Sequence, residues 1–378
     1  MNTHTANILT GLAALIAAGV TAQAQYIWTT LDDPVAGTGT NGPDTLTDNF
    51  SGTNVVGGYG FWYDGGVIHG FVASGTNWTT LDDPLAGSGL NQGTYATGMS
   101  GTNTVGWFID SNGVAHGFLY NGSTWITLDD PQVSGVGVSG DTYAQGIDGT
   151  NISGFCVTAS GVNHGFLYNV VANTWTSLDD PLAGSQGTIA ERIEGTNIVG
   201  GYYDGAGNEH GFLYNVIRRT WTTLNAPLAG HGSGQGTLVF NVSGTNIVGT
   251  YWDSSGQGHG FLYNGSTWTT LDAPLGISTF ALGIQGANVA GIYWDSASII
   301  HGFLATPTPQ LTLTLSGNAL RVYWPYWNNL LTGWTLQQSP DLSTTNWTPS
   351  GSPSNDSTNN FITITPPAGN LFFRLSQQ

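Results

Sequence analysis

The chain has 378 residues, with 57 glycines, 12% aromatic residues and only 7% charged residues. That length allows more than one core, and the aromatic content excludes a disordered chain. The formal net charge is -18 and lysine is absent, so no surface of clustered cations exists to hold nucleic acid or an anionic membrane.

Residues 1–24 read as a signal peptide. Ile8 to Val20 is an apolar run too short to span a bilayer, and Ala22-Gln23-Ala24 is a small-x-small cleavage site that leaves Gln25 as the mature start. The segment departs from the usual pattern because only His4 and the amino terminus supply possible cations before the run. The expectation is a secreted, extracellular or cell-surface protein, with no membrane insertion because no later stretch is apolar enough to span a bilayer. Cys156 is the single cysteine, which rules out an intramolecular disulfide and a cysteine-based zinc site.

From Tyr26 onward three anchors recur six times each. The first is the phrase Trp-Thr-Thr-Leu-Asp-Asp-Pro or a variant, starting at Trp28, Trp78, Trp125, Trp175, Trp221 and Trp268. The second is Gly-Thr-Asn at Gly52, Gly101, Gly149, Gly195 and Gly244, with Gly-Ala-Asn at Gly286. The third is His-Gly-Phe at His69, His116, His164, His210, His259 and His301, in steps of 47, 48, 46, 49 and 42 residues. Self-similarity at this period signals a propeller or a solenoid.

Each unit predicts four strands. In the second unit these are Thr94 to Ser100, Thr102 to Asp110, His116 to Tyr120 and Thr124 to Leu128. Asn121-Gly122 is a strong hairpin signal between the last two. Consecutive apolar positions such as Phe118-Leu119-Tyr120 predict strands buried on both faces. The chain enters the repeat on a fourth strand, Ile27 to Leu31, and leaves it on a third, His301 to Leu304. A linear solenoid has no need for that phase match. The expectation is therefore an all-β chain: a six-bladed β-propeller over residues 25–305, closed by the N-terminal strand.

The phrases His-Gly-Phe-Leu-Tyr-Asn, Trp-Thr-Thr-Leu and Gly-Thr-Asn-Ile-Val-Gly resemble the HAF-type extracellular repeat of secreted bacterial proteins, with Gly where that family has Ala after His. The element order is also similar to kelch propeller blades. The resemblance covers about residues 26–305. It implies an extracellular propeller-like domain and no particular activity.

Beyond Ala305, Thr306-Pro307-Thr308-Pro309-Gln310 predicts a stiff linker, and alternating runs from Leu311 to Gln378 predict a small β-sandwich, so that residues 306–378 form the linker and second domain. This part resembles the short C-terminal modules of secreted bacterial proteins. Trp324, Tyr326, Trp327 and Trp334 read as its core, with sugar stacking as the alternative.

The long connections, Leu81 to Gly93 and Asp110 to Ala115 in the second unit, are expected on one face of the ring, where function would sit. The aspartate pairs Asp32-Asp33, Asp82-Asp83, Asp129-Asp130 and Asp179-Asp180 before the prolines, with Asp110, Asp204, Asp253 and Asp295, make that face acidic, although Asn225-Ala226 and Asp272-Ala273 dilute the pattern. They suit turn formation; calcium is the competing reading, and no other cofactor or metal is expected. The six histidines read as a repeated structural hydrogen bond.

The first strand of each unit is expected to line the channel. Seven residues before each Gly-x-Asn glycine stands a threonine in all six units: Thr45, Thr94, Thr142, Thr188, Thr237 and Thr279. Four residues before it the units differ: Asp48, Thr97, Gln145, Glu191, Phe240 and Leu282, with Arg192 following Glu191. Asp48, Gln145, Glu191 and Arg192 are the ligand-binding candidates. Asp48 and Glu191, in the first and fourth units, would face each other and could act as acid and base for glycoside cleavage. No nucleophile motif, phosphate loop or metal-ligand spacing supports other chemistry. The expected function is a monomeric, non-enzymatic binding module for an extracellular glycan or protein; a carbohydrate-active enzyme is the alternative.

Overall fold

The structure, a computed structural model, describes residues 26–31, 45–51, 54–60, 66–74, 77–134, 140–316, 319–325, 334–341, 346–356, 359–365 and 371–377. The expected signal peptide lies outside them. Every described element is a strand or a turn, and the chain divides into two compact units, Met1–Thr306 and Pro307–Gln378.

The first unit opens with β1 (Tyr26–Leu31). The first sheet follows as β2 (Thr45–Ser51), β3 (Asn54–Tyr59), β4 (His69–Ser74) and β5 (Asn77–Leu81). The second is β6 (Gly93–Ser100), β7 (Asn103–Ile109), β8 (Ala115–Tyr120) and β9 (Trp125–Leu128). The third is β10 (Asp141–Asp148), β11 (Asn151–Val157), β12 (Asn163–Asn169) and β13 (Thr174–Leu178). The fourth is β14 (Thr188–Glu194), β15 (Asn197–Tyr203), β16 (Glu209–Asn215) and β17 (Thr220–Leu224). The fifth is β18 (Gly236–Ser243), β19 (Asn246–Trp252), β20 (Gly258–Tyr263) and β21 (Trp268–Leu271). The sixth has only β22 (Ser278–Gln285), β23 (Asn288–Trp294) and β24 (Ile300–Pro307) in sequence, and β1 pairs beside β24 as its fourth strand.

Neighbouring strands within each sheet are antiparallel. A parallel bridge from the residue before a histidine ties some sheets to the next, Ile68 to Gly93, Asn163 to Gly187 and Glu209 to Gly236. Gly93 and Gly236 have φ of 129° and 134° and press against the carbonyls of Ile68 and Glu209, so no side chain fits there. Inner strands β2, β6, β10, β14, β18 and β22 contact one another in order, and β22 returns to β2.

One packing unit explains why these sequences build these sheets. In each sheet the phenylalanine of His-Gly-Phe lies against the tryptophan of the fourth strand. Phe71 and Trp78 have ring centroids 4.7 Å apart, Phe118 and Trp125 5.0 Å, and Phe166 and Trp175 4.9 Å. Trp28 of β1 lies 4.9 Å from Phe303 of β24, with the same geometry, although the two are at opposite ends of the repeats. Thr30 and the Tyr293 hydroxyl are hydrogen-bonded at 3.3 Å, as Thr223 and Tyr202 are at 3.3 Å within the fourth sheet. β1 thus makes the contacts of an ordinary fourth strand.

The phenylalanine needs a glycine opposite it. A Cβ on Gly106, Gly200 or Gly249 of the second strands would come within 2.9, 2.9 and 2.8 Å of the facing ring and would also strike an inner-strand carbonyl. The rings are fully buried, and removing one costs about 3–5 kcal/mol. Apolar clusters fill the space between sheets: Val105, Leu119 and Leu128 of the second pack with Ala144, Ile147 and Phe166 of the third. The expectation of burial on both faces holds for second and third strands. Fourth strands are edges, and the pattern in β5 is exposed until Leu81.

Two details differ from the sequence-based expectation. The expected linker begins inside β24, where Thr306 is buried and donates a hydrogen bond to the Ile27 carbonyl at 3.5 Å. The second unit also contains two-residue strands that the alternating pattern does not predict. Its sheets are β25 (Thr312–Ser316), β26 (Ala319–Pro325), β30 (Asn359–Ile364) and β29 (Ser354–Asn355) on one side, and β28 (Thr348–Pro349), β27 (Trp334–Ser339) and β31 (Phe372–Gln377) on the other. Val322, Trp324 and Leu336 from both sheets form one buried cluster. Trp324 is therefore a core residue; Tyr326 and Trp327 lie outside the described residues.

Gly200→Ala is expected to destabilise the fold by about 2–3 kcal/mol through its clash with Phe212 and the Ile189 carbonyl. Gly205→Ala, which meets nothing within 4 Å, should stay within about 0.5 kcal/mol of the parent. Chemical denaturation of the two variants checks the contrast.

Candidate functional site

The long connections meet at the histidines. His116 Nδ1 bonds Asp129 Oδ1 at 2.7 Å, at the start of the loop leaving the sheet. Its Nε2 lies 3.9 Å from Asp110 Oδ2, at the start of the turn between β7 and β8. His259 repeats this with Asp272 at 3.1 Å and Asp253 at 3.5 Å. His210 is held by Asn225 at 2.9 Å and Asp204 at 3.3 Å. One imidazole therefore ties both loop types together, which places them on one face. Five of the rings also stack on a second-strand aromatic, as His116 does on Phe108 at 5.1 Å and His210 on Tyr202 at 5.0 Å; His164 instead faces Cys156. The histidines are consumed by the repeat, in agreement with the structural reading.

Most of the aspartates are consumed as well. Asp204 Oδ1 accepts from the Ala206 and Asn208 amides at 2.8 and 2.9 Å, and Oδ2 accepts from the Asn208 side chain at 2.9 Å. Those bonds, led by the Asn208 side chain, hold its carboxyl well below the usual range. The Ser255 side chain and the Gln257 amide likewise lower Asp253 to about 2. In the described pairs the second aspartate, Asp83, Asp130 or Asp180, is buried. Asp83 Oδ1 accepts from the Leu85 amide at 2.8 Å, and the Asp83 amide donates to Thr94 Oγ1 at 2.8 Å. Thr142, Thr188, Thr237 and Thr279 accept the same bond, so in five sheets the repeated threonine anchors the preceding loop to the inner strand. Burial raises the carboxyls of Asp83, Asp130 and Asp180. Among the described residues no group of three or more His, Cys, Asp or Glu side chains is arranged to hold a metal ion.

The non-repeating positions have a shared geometry. In every inner strand the residue four before the glycine is skipped by the ladder. Ala190 pairs with Gly200 and Arg192 with Val199, leaving Glu191 as a β-bulge. Asp48, Thr97, Gln145, Phe240 and Leu282 are bulged in the same way. A bulge re-aims its side chain and relaxes the demands of regular pairing, so this position is free to vary. Gln145 and Glu191 are half-buried; the side chain of Asp48 lies outside the described residues. Thr97 is turned inward and donates to the Ala144 carbonyl of the neighbouring inner strand at 2.9 Å.

The next position packs the centre. Arg192 is only 6% exposed. A Cβ on Gly98 would lie 3.2 Å from Arg192 Nη1, and one on Gly146 would lie 3.0 Å from its Cα. Glycines of the second and third sheets therefore make the room that the arginine of the fourth fills. Asn241 Nδ2 donates to Asn49 Oδ1 at 3.1 Å, linking the fifth sheet to the first. Counting three residues back from each glycine instead of four would have found Asn49 and Asn241.

Sequence reasoning also missed an acidic cluster in the fourth sheet. Glu209 is 9% exposed and pairs across the ladder with Tyr203; burial raises its carboxyl, and the neighbouring Tyr203 hydroxyl offsets part of that rise. Burial, Glu209 and then Glu191 push the Tyr203 phenol up to about 12. The available signal was the residue before each histidine, which is acidic only at Glu209.

A cleft of about 190 Å³ opens on the loop face between the fifth and sixth sheets, lined by Gln257, Asp272, Pro274, Ile277, Ser278 and Thr279 among others. No lysine, arginine or histidine lines it.

No protein-family model and no curated protein matches the chain. Among solved structures, a fucose-specific lectin from Aleuria aurantia is similar with a TM-score of 0.44 and 13% identity, over 76% of this chain and 93% of that one. AofleA from Arthrobotrys oligospora is similar with a TM-score of 0.42 and 10% identity, over 93% of this chain and 92% of that one. A prolyl endopeptidase is similar with a TM-score of 0.40 and 10% identity, over 75% of this chain and 55% of that one. TM-scores this low leave the fold to be decided by this chain's own strand pairing.

Titration of the histidine bracket has a defined sign. The bond to Asp129 raises His116 above its ordinary value, against burial, and the charges of Asp129, Asp110 and Asp141 add to it. A raised histidine contributes stability that is fully present below its unfolded value of 6.5 and is lost as pH rises through the folded value. Melting temperature is therefore expected to rise as pH is lowered from about 8 to about 5.5. In His116→Gln that rise should be smaller; an identical pH profile in the two proteins contradicts the assignment.

Proposed function

We propose that the chain is an exported, non-enzymatic glycan-binding protein. Its repeats form a six-bladed β-propeller closed by β1, and Pro307–Gln378 forms a β-sandwich module. The closure is supported by the return of β22 to β2 and by the Trp28–Phe303 stack. The sandwich is supported by two antiparallel sheets that share one apolar cluster. Kinship with HAF-type extracellular repeats and export by the N-terminal segment belong to the same reading.

The observation that carries the binding function is the loop-face cleft between the fifth and sixth sheets. Its lining of amide, carboxylate and hydroxyl groups beside Pro274 and Ile277 suits a neutral ligand rich in hydroxyls, which donates and accepts along its rim and lays an apolar patch on the ring and methyl groups. A chain of net charge -18 disfavours polyanions at that face. Because the cleft stands at a repeated junction, related clefts can engage successive units of one glycan, and weak sites then sum to useful avidity. Gln145, Glu191 and Asp48 are where the blades diverge near the axis and are the residues through which specificity would enter. Arg192 serves the packing of the centre. Calcium is a lesser reading, because the turn aspartates already accept two or three hydrogen bonds each.

One observation favours a second reading, a carbohydrate-active enzyme. The buried Glu209, whose carboxyl burial raises and which shares the neighbourhood of Tyr203 with Glu191, is the kind of group that glycan cleavage uses as an acid. A glycan array that includes fucosylated and non-fucosylated oligosaccharides separates the two. Retention of one glycan class without cleavage, weakened by Asp272→Ala, is the expected result. Release of shortened product that disappears in Glu209→Gln would move the assignment to the enzyme, and no retention at all would refute both.

A further inference from the structure

The five arginines are not used alike. Arg321 pairs with Asp356 at 2.9 Å, Arg374 bonds Gln337 at 2.9 Å and covers Trp347, and Arg192 is buried. Arg218 and Arg219 are consecutive and exposed in the turn between β16 and β17. In a chain with 23 acidic residues, neither forms an ion pair among the described residues.

The third sheet supplies an internal control. Its turn between β12 and β13 has the same length and the same side-chain asparagine bonds; Asn173 Oδ1 there also accepts from the Tyr168 hydroxyl at 3.1 Å. Asn169 Nδ2 donates to Thr150 Oγ1 at 3.2 Å and Asn151 Oδ1 at 2.7 Å; Asn215 Nδ2 donates to Thr196 Oγ1 at 3.1 Å and Asn197 Oδ1 at 2.9 Å. The Ala172 amide donates to Asn169 Oδ1 at 2.8 Å, and the Arg218 amide donates to Asn215 Oδ1 at 2.9 Å. Both turns end on a left-handed residue, Asn173 at φ 51° and Arg219 at φ 54°. Asparagine tolerates that conformation and arginine does so poorly. The turn therefore closes without arginines, and the fourth sheet keeps one where the backbone disfavours it. An outlier of this kind points to a use.

The turn borders a groove of about 570 Å³. Arg218, Thr196, Asn197, Asn215, Thr220 and Thr222 supply its polar lining, and Leu213 and Ile217 its apolar part. We propose that this groove binds an anionic sugar, a saccharide that carries a carboxylate or a sulfate. A guanidinium fork matches either group with paired hydrogen bonds. The threonine hydroxyls and asparagine amides match the ring hydroxyls, and Leu213 and Ile217 offer an apolar contact for the sugar face. Asn215 already holds the turn in place, so little ordering is needed on binding. The groove lies at the end of the fourth sheet opposite the loop face, and the inference does not depend on the neutral-glycan site there.

Calorimetric titration of the full mature chain tests this with three probes: a galacturonic acid trisaccharide, a galactose trisaccharide, and a sulfated galactose trisaccharide. At least one acidic probe is expected to bind, about ten-fold or more tighter than the neutral one, and to weaken as salt is raised. Which acidic probe binds tells carboxylate from sulfate. Arg218→Gln should lose about ten-fold in affinity or more. Arg219→Asn, beside Arg218 but outside the groove lining, should weaken binding less than Arg218→Gln while leaving melting temperature unchanged or higher, because asparagine accepts the left-handed turn. Equal binding of neutral and acidic probes, failure of both acidic probes to bind, or unchanged affinity in Arg218→Gln overturns the proposal. Asp272→Ala at the loop-face cleft should leave the acidic titration unaltered, so failure of one site is distinguishable from failure of the other.

Discussion

The arrangement depends on one contact repeated in every sheet. A phenylalanine of the third strand lies over a glycine of the second and against a tryptophan of the fourth. The glycine is required because the ring occupies the place of its side chain. The tryptophan is required because the fourth strand is an edge and has little else to bury. This stack fixes the order of three strands, leaves the inner strand to touch its neighbours around the centre, and lets a strand from the far end of the chain complete the sixth sheet. Polar contacts then position what the stack has assembled: histidine brackets join the two loop types, and the repeated threonine anchors the loops of five sheets to the next inner strand.

Much of this was legible from the repeat itself. The strands of the second unit, the hairpins and the phase at the two ends follow from where Trp, His-Gly-Phe and Gly-Thr-Asn fall. The structural role of the histidines was also legible, because residues that recur at every unit are consumed in making the unit. The position of Asp48, Gln145 and Glu191 was legible as a place where the repeat fails. Its cause, a bulge that skips one residue in the ladder, was not, because a bulge leaves no period of its own in an inner strand.

What sequence reasoning missed depends on contacts between units. Asn241 meets Asn49 across 192 positions, and Arg192 fills space vacated by Gly98 and Gly146 in two other sheets. Neither relation lies in any one repeat. Glu209 was hidden for a related reason: it precedes a histidine in a slot that is otherwise uncharged, and only burial beside Tyr203 changes its character. The exposed Arg218-Arg219 pair stood in plain view, yet only comparison with the turn at Asn169 to Asn173 makes it unnecessary to the fold.

The central claim is that β1 is the missing fourth strand of the sixth sheet. Removing residues 26–31 and following calorimetric unfolding, together with amide hydrogen exchange in β24, tests it directly. The account predicts a clearly lower melting temperature and loss of protection in β24, because Phe303 loses Trp28 and the edge of the sheet is exposed. An unchanged melting temperature with β24 still protected would contradict it.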